Sequence, residues 1–287
     1  MSPATSAPAR LRFPSGMRLV NFLCGGWTLL VFVFLYLPIL LLVVYSFNQS
    51  DMGVEWTGFT LDWYKKLWSS QSLIDALKNS LIVAGATTVL SVILGTIGAW
   101  LLYRYRFPCF KTLNTLIFIP MVIPEVIMGV SLLILFTLAN RQLNDWLVTF
   151  SEAEAGLGYV TLIIAHTTFC FPFVLVAVQA RLAGVDPFLE EAAMDLGAPP
   201  LKAFWLVMVP YLLPAIISGA LMAFTLSLDE YIVTLFTSGP ESQTLTIKIF
   251  GMAKKGLDPS LNAVSTVFIL ATAVLVVLAE AVRKMNR

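Results

Sequence analysis

Four side chains capable of ionic chemistry lie within or against long apolar runs: Glu125, His166, Asp229 and Glu230. A carboxylate facing lipid is costly, so acids in such runs are expected to face a partner or a water-filled path. Glu125 follows Pro124 in the run 112–140, and a helix counted from Thr112 puts it about 20 Å along. Asp229 and Glu230 close the run that precedes them. They suit two roles: interfacial helix caps, or part of a cation route shared with Glu125. His166, beside Thr167 and Thr168, suits either a hydrogen-bonded interior position or a gate. Carboxylates pair with ammonium groups and ring faces add cation–π attraction, so the chemistry implied is recognition of an organic polycation. Trp100, Phe169, Phe171, Phe224 and Tyr231 are candidate rings, although most aromatic side chains in such a chain only pack.

Catalytic chemistry finds little support. The approach to a phosphate loop, GMAKKG at 251–256, continues Leu257-Asp258 and lacks the Lys-Ser/Thr ending. His166 is the one histidine, which excludes two-His metal ligation and leaves no convincing nucleophile–His–acid set. Cys24, Cys109 and Cys170 are odd in number and widely spaced, so neither a disulfide framework nor a metal knuckle is expected. No cofactor is expected, and any energy source must be another chain or an ion gradient. The formal net charge of +1 gives no basic surface for nucleic acid.

A polar interruption at 186–210, DPFLEEAAMDLGAPPLKAFWLVMVP, separates two apolar runs. Asp186 can cap a helix, and Pro187 fits the first turn, where its missing N–H has no intrahelical partner. Glu190 and Glu191 fall near the N-terminal end, which favours negative charge. Gly197 is placed to end the helix in a left-handed conformation, and Pro199-Pro200 prevent simple continuation. The expected product is a short helix, a sharp turn and a second apolar run from near Leu201. A short helix with Ala192 and Ala193 beside carboxylates is built to dock into something else.

The elements that hold these residues are membrane helices. The chain is 58% hydrophobic and 12% charged, far from the roughly 25% charged of soluble domains. Residues 19–50 carry no charge, too long a run for a signal-peptide core and enough to cross a bilayer of about 30 Å. Five further runs, 79–103, 112–140, 155–180, 203–228 and 259–279, bring the expected spans to six and the fold class to all-α. A basic tail precedes them at 1–18. With that tail in the cytoplasm, eleven Lys and Arg fall on its side and seven on the other, so both termini and the 186–210 loop are expected to be cytoplasmic. Residues 51–77 are expected to lie along the periplasmic interface through Trp56, Trp63, Tyr64 and Trp68. A turn at Ser238-Gly239-Pro240 and a short helix over 244–253 follow the fifth run. Ser91, Gly95 and Ala99, and again Ala215, Gly219 and Ala223, allow close helix approach within the chain or between subunits.

Glu191-Ala192-Ala193, Gly197 after three residues, and Val207, Val209 and Pro210 after nine more resemble the EAA loop of ABC importer permeases. Val207 and Val209 stand where that pattern usually has Ile and Leu. The stretches IPMVIPEV at 119–126, AHTTFC at 165–170, PAIISG at 214–219 and AFTLSLDE at 223–230 resemble the polyamine (putrescine/spermidine) subgroup, most of all second permeases of putrescine importers. That subgroup commonly shows Pro-Asp at Pro124-Glu125 and Leu-Asp-Asp at Leu228-Asp229-Glu230. Both departures keep the acid.

The resemblance implies a six-helix type I ABC importer permease fold in the bacterial inner membrane, with a core over 78–280 and a short C-terminal tail at 281–287. It assigns Glu190, Glu191, Ala192, Ala193, Asp195 and Gly197 to a helix that couples to a cytoplasmic ATPase dimer. It adds a second related permease, a periplasmic polyamine-binding protein and a lipid surround as partners, with ATP hydrolysed on a separate subunit. Alternatives are a permease for another small solute and a secondary transporter driven by an ion gradient.

Overall fold

The computed structural model describes residues 15–50, 55–105, 110–147, 157–186, 188–256 and 259–285, so most of the 1–18 tail lies outside it. Twelve α-helices occur among these: α1 Ser15–Tyr45, α2 Asp62–Ser69, α3 Gln71–Arg104, α4 Phe110–Val122, α5 Glu125–Leu147, α6 Tyr159–Leu182, α7 Phe188–Asp195, α8 Pro200–Ala203, α9 Val209–Asp229, α10 Ile232–Thr237, α11 Leu245–Lys255 and α12 Pro259–Met285. Among the described residues the extended pairing is one isolated bridge, Asn48 with Phe59.

Six stretches are long and apolar enough to cross a membrane: Val20–Tyr45, Gln71–Arg104, Glu125–Gln142, Tyr159–Leu182, Pro200–Asp229 and Pro259–Val277. The expected count of six and the all-α class are therefore met. The boundaries differ in three places. The second span starts at Gln71, so it takes in the last residues of the expected interfacial segment. Residues 281–285 continue α12. The run 112–140 is two helices, broken where Pro124 lacks an N–H and turns the preceding residue away from helical geometry. α4 closes with Ile123 N–H donating to Ile119 C=O, and α5 opens with Met128 N–H donating to Pro124 C=O.

α3, α6 and α9 form the central body, and the small residues explain its closeness. A Cβ added at Gly95 would lie 2.8 Å from Val174 Cβ and 2.9 Å from the Leu175 amide nitrogen. One added at Gly219 would lie 3.1 Å from Val174 Cα. Both glycines thus seat the same turn of α6, one from each flank, and Ser91, Ala99 and Ala223 are fully buried nearby. This is packing within the chain.

The ends of the body are held by polar contacts. At the end nearest α2, Asn79 donates to the carbonyls of Glu241 and Gln243, both at 3.0 Å, and accepts from the Tyr159 hydroxyl at 2.6 Å. The Leu245 N–H donates to Ser80 Oγ at 2.8 Å, which anchors the start of α11. The turn at 238–242 is present, with Ser242 N–H bonded to Gly239 C=O. In α2, Trp63 donates to Asn48 C=O at 2.8 Å and Tyr64 bonds Ser46 at 2.7 Å. Only two of the four expected interfacial rings, Trp56 and Trp68, are left largely exposed.

Helix α1 stands apart. No residue over 20–45 is buried, and its contact with the body runs mainly through α12.

Candidate functional site

The break at Pro124 opens a cavity of about 380 Å³, within the ~300–1,000 Å³ of small-molecule sites. Its walls come from the α4–α5 junction, from Phe169 and Phe173 on α6, from Leu226 on α9, and from Glu230 and Ile232 at the α9–α10 link. Two of the four acids and bases singled out from sequence, Glu125 and Glu230, meet here. Glu125 is exposed at the first turn of α5, where a helix N-terminus tolerates negative charge. Glu230 is buried, and its Oε1 accepts the Val233 N–H at 2.8 Å, so it caps α10 while lining the cavity. No Lys or Arg is among the described residues that line the space, which therefore suits a cation with apolar methylenes between its charges.

The other two sit elsewhere. Asp229 is exposed at the end of α9 and does not line the cavity. His166 is fully buried: Nδ1 bonds Ser227 Oγ at 2.7 Å and Nε2 bonds Thr234 Oγ1 at 2.9 Å. It clasps α6 to α9 and α10, with Phe169 of the cavity wall packed on its ring at 5.7 Å. Of the candidate rings only Phe169 lines the cavity. Trp100 packs on Phe204 at 4.5 Å and Tyr231 on Phe250 at 4.2 Å. Phe173 escaped the sequence reading, though it lies one helical turn beyond Phe169 and so shares its face.

The hairpin at 186–210 takes the expected shape. Asp186 Oδ1 accepts the Phe188 N–H at 3.0 Å, and Pro187 lies outside the described residues. At the far end Ala198 N–H reaches Ala193 C=O at 3.1 Å and Gly197 N–H reaches Met194 C=O at 2.9 Å. This is the Schellman pattern, with Gly197 at φ +87° in the left-handed region that glycine adopts without strain. Past Pro199, α8 leads into a π turn at Phe204–Met208 just before Pro210, which has no N–H to continue the regular ladder.

Structure divides the hairpin's acids. Glu190 is buried and ion-paired to Arg104 at the end of α3; Arg104 also lies 5.6 Å from the Trp100 ring and 3.6 Å from Met194 Sδ. Glu191, Ala192 and Asp195 point outward, as do Phe188, 69% exposed, and Leu196, 91% exposed. An α7 held from behind by Arg104 thus presents carboxylates and large apolar side chains on a face that the described residues leave uncovered.

Residues 91–286 match the family model described as the binding-protein-dependent transport system inner membrane component. The putrescine transport system permease protein PotI of Escherichia coli is 41% identical over 247 residues, 86% of this chain and 85% of that one. The spermidine/putrescine transport system permease protein PotC of Escherichia coli is 36% identical over 264 residues, 92% of this chain and 95% of that one. The crystal structure of a bacterial ABC transporter that imports the acidic polysaccharide alginate shares the fold, with a TM-score of 0.73 at 17% identity over 93% of this chain and 96% of that one. The expected ABC importer permease architecture is met, and a multi-pass inner-membrane location goes with it. With six membrane helices and a model match over most of its length, the chain belongs to the family of binding-protein-dependent transport system inner membrane components.

Proposed function

We propose that this chain is the permease subunit of an ATP-driven importer that carries a polyamine, putrescine or spermidine, across the inner membrane. The observation that carries the cargo reading is the cavity in which Glu125 and Glu230 face a common space with Phe169 and Phe173 and no Lys or Arg among the described lining residues. An alkyl diammonium ion matches it, with charge at each carboxylate and methylenes against the rings. The names of PotC and PotI point the same way.

The orientation with most Lys and Arg inside puts α7 in the cytoplasm and α2 at the periplasm. There α7 docks into a cytoplasmic ATPase dimer through Glu191, Ala192, Asp195 and the exposed Phe188 and Leu196. Gly197 holds the turn behind them, while Glu190 and Arg104 transmit the displacement to α3. Closure of the ATPases on ATP moves that lever, and hydrolysis resets it. A second, related permease completes the pathway, and a periplasmic binding protein delivers the polyamine. Energy is released on the ATPase chains, and this subunit guides the cargo. The acids are transient contacts, because a tight site would slow release.

Uptake of labelled putrescine by cells carrying Glu125→Gln with Glu230→Gln, assembled at normal level, tests the cargo reading. Gln at 230 keeps an oxygen for the Val233 N–H, so the cap survives. Uptake should fall about tenfold or more, as for two lost charge pairs. Unimpaired uptake rejects the acid cavity as the route, and Asp229→Asn tested alone reports whether the exposed acid contributes.

A further inference from the structure

We infer that the α2 end of the molecule carries a specific site for an anionic phospholipid, with its phosphate among Lys66, Lys248 and serine hydroxyls and one acyl chain in the groove between α3 and α12. Two adjoining spaces compose it. The first, of about 490 Å³, is lined by Lys66 and Lys248 together with Ser70, Ser72, Gln243 and Ser260. No carboxylate is among its described lining residues. The second, of about 140 Å³, is wholly apolar, with Ile74, Leu77, Val264, Val267, Phe268 and Ala271 in its walls. Leu67 and Leu73 line both, so the two lie side by side.

The direction of the groove fits an inserted lipid. α3 and α12 both begin at the basic space, with Ser70 and Ser72 on one and Ser260 on the other, and both run from it into the apolar body. From Ser260 to Ala271 the groove descends about 16 Å along α12. Charge therefore gathers at the membrane-surface end and apolar walls continue below it, in the order of a headgroup and its chain. The start of α3 adds to the attraction, since the first N–H groups of a helix favour an anion. Ser70, the residue before α3, makes no side-chain cap bond, which leaves its hydroxyl available to a phosphate oxygen.

Neighbouring charges show the same division. Lys65 is engaged by Asp62 at 2.9 Å, which holds that carboxyl below its ordinary range, and Lys78 pairs with Asp75 at 3.5 Å. Neither lines the basic space. Lys66 instead lies 5.4 Å from the Trp63 ring, a contact that steers its ammonium without neutralising it.

Native mass spectrometry of the full chain, stripped of lipid and titrated with phosphatidylglycerol or phosphatidylethanolamine, tests the site. Wild type should retain phosphatidylglycerol in preference, and Lys66→Gln with Lys248→Gln should lower retention about tenfold or more. Ala271→Phe fills the groove from an exposed position and should lower it about threefold without touching a charge. Lys65→Gln should leave it unchanged. Equal retention by wild type and the double lysine variant overturns the assignment. So does displacement by inorganic phosphate with Ala271→Phe indifferent, which would mean a small-anion pocket without a chain groove.

Discussion

At the hairpin, Glu190 is buried against Arg104, and the pair ties α7 to α3 inside one chain. In the cavity, Glu125 and Glu230 share a space with no Lys or Arg among its described lining residues. The same residue type is ion-paired within the chain in one region and lines a cavity in the other, where the proposed cargo would be its partner. The two regions therefore respond differently to mutation: the first should report on folding, the second on transport.

Removing Arg104 is the most direct way to break that contrast. Arg104→Met leaves the buried Glu190 carboxylate unpaired and should destabilise the chain by about 3–5 kcal/mol, read as a lower thermal midpoint with faster hydrogen exchange over 188–198. Adding Glu190→Met should recover most of the loss, because two apolar groups of similar size need no pairing. If the single variant melts like wild type, the ion pair is not what holds α7.

A smaller effect is expected inside the body. His166→Leu strands the Ser227 hydroxyl, while Thr234 keeps its bond to the Glu230 C=O, and should cost about 1–3 kcal/mol. It should also loosen Phe169 and so weaken uptake beyond the loss of stability. A change in uptake with an unaltered melting curve would instead place His166 directly on the route.

Gly197→Ala should cost about 1–2 kcal/mol, since φ +87° is unfavourable for any residue with a Cβ although, among the described residues beyond its chain neighbours, no atom lies within 4 Å of one built there. The cost is conformational, so Gly197→Asn, which tolerates that region better, should retain more of the stability than Gly197→Ala.

The least change in stability, within about 0.5 kcal/mol, is expected for Glu191→Gln and Glu125→Gln, both exposed and unpaired among the described ion pairs. Each should lower uptake, Glu191→Gln through coupling to ATP and Glu125→Gln through the cargo path. Titrating external putrescine separates them: excess substrate should restore more of the Glu125→Gln uptake than of the Glu191→Gln uptake.

The amino-acid sequence by itself determined the six spans, the hairpin and its turn. Those features are local: apolar run length decides a membrane helix, and Asp186, Gly197 and Pro199 act within a few residues of themselves. It also showed which acids were out of place. It did not show that Pro124 splits a run, because proline is tolerated in membrane helices whose neighbours re-satisfy the freed backbone groups. Tertiary structure alone decided that Glu125 meets Glu230 and not Asp229, that His166 is a clasp, and that Glu190 turns inward while Glu191 turns out. Each of those outcomes depends on residues distant in sequence, or on the rotation of a helix about its axis. Packing against α6 and α3 sets them, through contacts such as Val174 seated between Gly95 and Gly219, which no single stretch of the chain encodes.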